Sequence, residues 1–139
     1  MSSVFTKIMK GELPGHFVWS DETCVSFLSI NPVTDGHALV VPRLEVDHWL
    51  DLQSEVVAHL MCVAQIVGKG QMQAFRPLRV GQLIAGLEVP HTHLHVIPMQ
   101  GMSDLDLTKI PTVVDKGTLK NTAQKLRNAI ISMGHDVGL

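Results

Sequence analysis

Three histidines stand at alternate positions in one short stretch of the chain, at His91, His93 and His95. On a β-strand, alternate side chains lie on one face and are roughly 6.5–7 Å apart. The surrounding residues favour a strand over about residues 90–99, with apolar side chains on its opposite face. The pattern therefore predicts three imidazoles aligned on one surface of a strand.

Three interpretations of such a surface remain open. In the first, the histidines are ordinary polar residues of a half-buried strand. In the second, they hold zinc or iron with a further ligand such as His37, although no carboxylate or cysteine stands at a companion spacing. In the third, a neutral imidazole attacks phosphorus while its neighbours hold the phosphate oxygens and assist the leaving group. We favour the third interpretation, with His93 as nucleophile because it lies between both partners.

Further strands must position this one. Short apolar stretches bounded by turn residues predict four of them, over residues 17–19, 24–30, 37–41 and 78–85. Strands come in a run with short turns, and helices are inserted rather than alternating with them. We therefore expect an α+β fold with a mainly antiparallel sheet.

Helical patterns occupy the rest of the chain. A short amphipathic segment over residues 4–10 ends at Gly11. An apolar stripe predicts a helix that begins with Ser54 as N-cap and runs towards Lys69, with Gly68 and Gly70 marking its end. A second clean helical period covers residues 119–133 and is closed by glycine.

Composition limits the class of partner. With 139 residues, 45% hydrophobic and 17% charged, the chain fits one soluble globular domain over residues 1–139. A net charge of −2 gives no general attraction to nucleic acid or acidic lipid, so a polyanion must bind at a local site. No signal peptide or membrane span is predicted, and Cys24 and Cys62 are expected to be buried thiols of a reducing compartment. We expect a cytoplasmic protein.

The stretch His91-Thr92-His93-Leu94-His95-Val96-Ile97 resembles the motif of the histidine triad (HIT) family, His-φ-His-φ-His-φ-φ with φ apolar. It departs from the motif only at Thr92. Residues 4–14 look like the family's N-terminal signature, residues 27–42 look like its nucleotide-facing hairpin, and Gly86 sits where the family has a glycine ahead of the triad. The resemblance covers about residues 4–98, and the C-terminal residues 99–139 add an extension with a helix.

This resemblance implies a five-stranded sheet carrying a long helix and a C-terminal helix, usually in a homodimer. It implies a nucleotide hydrolase or transferase in which His93 forms a nucleotidyl-histidine that water releases, while His91 and His95 contact the phosphate and His37 supports them. We expect no cofactor and no metal. It also places a purine against side chains that would otherwise be ordinary core residues, namely Val4, Phe5, Ile8, Phe27 and Ile30.

Other candidate nucleotide contacts depart from the family's pattern. Ser29 stands where many members carry an aspartate for the ribose hydroxyls, and a neutral hydroxyl is a weaker acceptor. The family's polar phosphate ligands are missing near Val80, Leu87 and Glu88, so Gln82 or a backbone N–H would have to replace them. Glu88 either repels phosphate, acts as general acid or base, or is a solvent-facing charge.

Two functions follow from these observations. The first is an enzyme that cleaves the P–N or P–O bond at the α-phosphate of a nucleoside phosphoramidate or dinucleoside polyphosphate. The alternative, which the departures at Ser29, Val80 and Glu88 motivate, is a nucleotide-binding or protein-interaction module with weak or lost catalysis. A metal-dependent enzyme is a third hypothesis.

Overall fold

A computed structural model of the chain describes residues 2–108 and 114–139. Within them, five antiparallel strands form a sheet in the order β1-β2-β3-β5-β4. The strands are β1 (Phe17–Ser20), β2 (Cys24–Leu28), β3 (Ala38–Pro42), β4 (Arg79–Leu83) and β5 (Leu94–Met99). The predicted α+β fold with a five-stranded antiparallel sheet is confirmed. Because β5 inserts between β3 and β4, His95 pairs with Leu39, near His37.

Three α-helices accompany the sheet in the described ranges. They are α1 (Val4–Met9), α2 (Ser54–Phe75) and α3 (Lys116–Ser132), and single 3₁₀ turns cover Trp49–Asp51 and Met102–Leu105. The long helix and the C-terminal helix thus correspond to the two predicted helical periods. None of the helices in these ranges has the length and apolar character needed to span a membrane.

The predicted end of α2 was wrong. The helix continues past Gly68 and Gly70 to Phe75, and its N-cap is Gln53 rather than Ser54. A Cβ added at Gly70 would lie 2.6 Å from Cγ1 of Ile130 on α3. Gly70 therefore serves close packing between α2 and α3 rather than helix termination.

Each face of the sheet carries a separate apolar cluster. On one face α2 and α3 cover the larger cluster, and alternate strand residues reach it because side chains alternate along a strand. On the other face α1 covers a smaller cluster, formed by Phe5, Val25, Phe27, Leu39 and Val41. Of the two free cysteines, Cys24 is buried as predicted, whereas Cys62 is exposed on α2, contrary to prediction.

The predicted extent of the histidine strand was also wrong. Strand β5 begins at Leu94, so His91 and His93 precede it and only His95 lies on it. The amide of His91 donates to the Val89 carbonyl and that of Thr92 donates to the Val46 carbonyl, so neither joins the sheet. The three imidazoles are therefore not aligned along one strand face, and their geometry has to be established contact by contact.

Candidate active site

The side chain of His93 has a defined proton position. Its Nδ1 lies 2.7 Å from the carbonyl oxygen of His91, and a carbonyl only accepts, so Nδ1 carries the proton. In the neutral imidazole the lone pair is then on Nε2, for which the described residues supply no hydrogen-bond partner. Burial lowers the pKa of His93, although the hydrogen bond to His91 and the charge of Glu88 partly oppose that shift. At neutral pH His93 therefore presents a neutral ring with a free lone pair on Nε2, which a nitrogen nucleophile requires.

A chain of hydrogen bonds also fixes the protons of His37 and His95. The Val33 amide donates to His37 Nδ1 at 3.1 Å, so His37 carries its proton on Nε2. That Nε2 lies 2.9 Å from His95 Nδ1 and donates to it. His95 consequently carries its own proton on Nε2, where it is an N–H donor. The rings of His93 and His95 are 4.9 Å apart, centroid to centroid, so the His93 ring and this donor are neighbours.

The same two histidines are held neutral by burial. Burial, and then the proximity of His95 and His93, lower the pKa of His37 to about 3. Burial, and then His93, lower the pKa of His95 to about 4. Near pH 7 both imidazoles are uncharged, so His95 acts on a ligand by hydrogen bonding and not as a fixed cation.

His91 lies within the protein and orients the His93 ring through its backbone carbonyl. It is fully buried; its Nε2 lies 2.7 Å from the Pro42 carbonyl, to which it donates. Its Nδ1 therefore accepts from the Ser3 hydroxyl at 2.6 Å when the ring is neutral. The predicted contact of His91 with a phosphate stays untested, whereas its carbonyl oxygen orients His93 directly. Thr92, the departure from the motif, donates its hydroxyl to the Val46 carbonyl at 2.9 Å.

The predicted purine-binding residues fall into two groups. Phe5 packs with its ring centroid 4.8 Å from that of His93 and 5.7 Å from that of Phe27, and Ile8 packs on the same cluster. Val4 and Ile30 are instead exposed, at 41% and 62%. Phe5, Ile8 and Phe27 thus provide an apolar wall beside His93, while contact of any of the five with a base remains a prediction.

The other predicted nucleotide contacts lie in loops. Ser29 is half-buried, and its hydroxyl accepts from the Asn31 amide at 3.2 Å, so it already stabilises the turn after β2. Gly86 has φ +76°, a left-handed conformation that glycine adopts without strain. Glu88 is exposed, yet its charge raises the pKa of His93, which places it on the triad's side of the molecule.

Sequence reasoning missed two polar contacts on which this arrangement depends. Ser3 is the N-cap of α1 as well as the partner of His91. A serine ahead of a short amphipathic segment is an N-cap signal that could have drawn attention to it. Buried Gln71 of α2 donates to backbone carbonyls beside the histidines, and no local sequence signal indicates that role.

One group of three side chains in the described ranges has the composition of a metal site, and it includes no triad histidine. The potential ligand atoms of Asp21, Cys24 and His59 lie within 4.8 Å of one another. The Asp21 carboxylate already accepts from the Trp19 indole N–H and from the amides of Thr23 and Cys24, and it lies 2.7 Å from His59 Nε2. Burial raises the pKa of the Cys24 thiol to about 12, so the thiol stays protonated. We therefore interpret the group as a set of hydrogen bonds that stabilises the β1–β2 turn.

Comparison with known proteins agrees with this geometry. The HIT domain family model matches residues 10–102. The chain belongs to the histidine triad family. The protein hit of Bacillus subtilis is 30% identical over 106 residues, 73% of each chain. The adenosine 5′-monophosphoramidase HNT1 of Saccharomyces cerevisiae is 31% identical over 96 residues, 68% of this chain and 61% of the relative.

Solved structures give the same result for the fold. A hypothetical histidine triad nucleotide-binding protein from Sulfolobus tokodaii superposes with a TM-score of 0.83 at 27% identity, over 96% of this chain and 95% of that one. Membership of the family, with a relative named as a phosphoramidase, supports a nucleotide hydrolase at the level of the family.

Proposed function

We propose that this protein hydrolyses a bond to the α-phosphate of a purine nucleotide through a covalent nucleotidyl-His93 intermediate. The observation that carries the proposal is the hydrogen bond from His93 Nδ1 to the His91 carbonyl, which leaves the lone pair on Nε2. A hydrogen-bond donor, His95 Nε2–H, lies on the ring next to His93. The His95 proton is on Nε2 because His37 donates to Nδ1 of the same ring. A nucleophile adjacent to a donor for phosphate oxygens suits displacement at phosphorus.

The reaction proceeds in two steps. The His93 Nε2 lone pair forms a bond to phosphorus, and the bond to the leaving group breaks with its electron pair, the leaving group taking its proton from water. The resulting imidazolium keeps its Nδ1–H, and the His91 carbonyl stabilises that charge. Water then attacks phosphorus, the P–N bond to His93 breaks, and the water proton goes to solvent, so the imidazole returns to its neutral form.

The substrates we propose are nucleoside phosphoramidates or dinucleoside polyphosphates. The wall of Phe5, Ile8 and Phe27 beside His93 supports an aromatic base as the neighbour of the reacting phosphate. Because Ser29 is a neutral acceptor already engaged with Asn31, we expect weaker discrimination at the ribose than a carboxylate would give.

We also propose that the protein lies in the reducing environment of the cytoplasm, which suits its two free thiols.

We further propose a homodimer that pairs through β4 and α2. The β1 edge of the sheet is covered, since the Ser20 amide donates to the Val137 carbonyl. The β4 edge has no strand beyond it in the described chain, and apolar Leu78 beside it is 75% exposed. An unpaired edge strand is a template for pairing with a second chain.

The direct experiment is a substrate panel with adenosine phosphoramidate, adenylyl sulfate and dinucleoside polyphosphates. We expect nucleotide release by the wild type, its loss in His93→Ala, and a trapped nucleotidyl adduct in the wild type by mass spectrometry after acid-free quenching. His135→Ala is the matched control, because the His135 ring packs against Trp19 and not against a histidine of the triad. No release by the wild type, together with a rise in Tm on adding nucleotide, would establish the alternative of a binding module. Equal release by His93→Ala would refute the covalent mechanism.

A further inference from the structure

Gln71 is a fully buried polar residue of α2 that contacts the backbone beside two active-site histidines. Its side-chain Nε2 donates to the Gly36 carbonyl at 3.0 Å and to the Val96 carbonyl at 2.9 Å. Gly36 directly precedes His37, and Val96 directly follows His95. One amide group therefore joins the two backbone segments whose imidazoles share a 2.9 Å hydrogen bond.

The same helix fixes the Gly36 turn in a second way. Phe75 lies one turn after Gln71 on the same helix. Its ring packs against Gly36 so closely that a Cβ at that position would overlap the ring. Gly36 has φ +88°, which only glycine adopts without strain. The position of His37 thus depends on α2 through both a hydrogen bond and a packing contact.

Packing alone does not account for a glutamine at this position. Its Oε1 is buried and has no hydrogen-bond partner among the described residues. An unsatisfied buried acceptor destabilises the folded state, whereas leucine or methionine would fill a similar volume without that cost. The two N–H donations to the carbonyls of Gly36 and Val96 are what those side chains would lack.

We propose that Gln71 is a positioning residue that holds His37 against His95 and so keeps the His95 proton on Nε2. This inference rests on the proposed function for its catalytic consequence. Without the bridge, β3 and β5 remain paired but the Gly36–His37 turn is held less firmly against β5. His37 then donates less well, and His95 samples the tautomer that carries its proton on Nδ1. That tautomer offers no N–H to phosphate from Nε2.

The test uses Gln71→Met with the matched control Gln65→Met, since Gln65 is exposed on the same helix. We expect Gln71→Met to lower kcat about tenfold with little change in KM, and the control to change neither. Nitrogen-15 NMR of the ring nitrogens, recorded without substrate, should show mixed tautomers at His95 in Gln71→Met and one tautomer in the wild type. Unchanged tautomers in a folded Gln71→Met would overturn the proposal even if its Tm falls.

A second variant keeps the proposal testable should Gln71→Met fold poorly. Gln71→Glu has the same shape, but its protonated carboxyl has one O–H donor and its ionised form has none. We expect the His37–His95 pairing, followed by NMR, to weaken in this variant as pH rises and the carboxyl ionises, and a pH-independent pairing would refute the bridge. Because the NMR readout needs no substrate, it separates failure of this inference from failure of the proposed hydrolysis.

Discussion

At the scale of single residues, the site is defined by where protons lie rather than by where histidines stand in the sequence. The alternating histidines predict a nucleophile between two partners, and the group that fixes the His93 ring is a backbone carbonyl. The donor His95 is likewise fixed through His37 and the Val33 amide. The state of these histidines depends on nearby charge and on their hydrogen-bond partners, and the first two predictions test one of each.

The charge of Glu88 should shift the pH dependence of the nucleophile. In the proposed mechanism only neutral His93 attacks, and its pKa is lowered mainly by burial, so we expect activity to persist below pH 6.5 and to fall at lower pH. Glu88 stabilises the imidazolium, so Glu88→Gln should lower the pKa of His93 and move the acid limb of kcat/KM to lower pH. A limb that moves to higher pH, or does not move, would contradict this assignment. The exposed Glu22→Gln is the control.

Ser3 should matter to stability as well as to catalysis. Its hydroxyl donates to buried His91 Nδ1 and accepts from the Thr6 amide as an N-cap. Ser3→Ala removes both contacts, so we expect a loss of about 1–3 kcal/mol in the free energy of unfolding, measured with urea. Ser2→Ala, at an exposed neighbour, should change it little. Equal stability of the two variants would show that the Ser3–His91 contact is not made in solution.

At the scale of elements, α2 shows what the sequence could and could not predict. Its apolar stripe identified the helix because packing on a sheet requires one apolar face. The sequence pattern predicts too short a helix because glycine commonly ends helices, whereas Gly70 makes room for Ile130, a residue sixty positions later. The predicted start of β5 was also wrong because of a distant contact. The Thr92 amide donates to the Val46 carbonyl instead of joining the sheet. Periodicity predicts elements, but their ends depend on distant contacts.

The two glycines of α2 give a matched pair for testing this account. A Cβ at Gly70 would meet buried Ile130 Cγ1 at 2.6 Å, close to that side chain's branch point, so the contact cannot be relieved by a small rotation. We expect Gly70→Ala to destabilise the protein by about 1–2 kcal/mol despite alanine's higher helix propensity. At Gly68 the nearest atom is 3.4 Å away, so Gly68→Ala should be neutral or stabilising by about 0.5–1 kcal/mol. Chemical denaturation measures both, and the reverse order would refute the packing argument.

At the scale of the whole molecule, the sheet has two unlike edges. The β1 edge is covered from the C-terminal region, where Arg127 donates to the Phe17 carbonyl and the Val137 carbonyl accepts from Ser20. Beyond β4 the described chain provides no further strand. On the same side α2 exposes Met61 and Met72, at 49% and 42%. A second copy of the chain would cover this apolar surface and satisfy the free backbone groups of β4 together.

This asymmetry predicts a dimer that a single charge at the β4 edge disrupts. We expect the wild type to sediment at twice 15.2 kDa at micromolar concentration and Leu78→Lys to shift towards 15.2 kDa, because a lysine at the centre of a buried apolar contact loses hydration without a partner. Leu87→Lys is the control, since Leu87 is 94% exposed in the loop before the triad and lies outside β4. A wild type that stays at 15.2 kDa across concentrations would exclude the dimer. A dimer that Leu78→Lys leaves intact would place the interface elsewhere than the β4 edge.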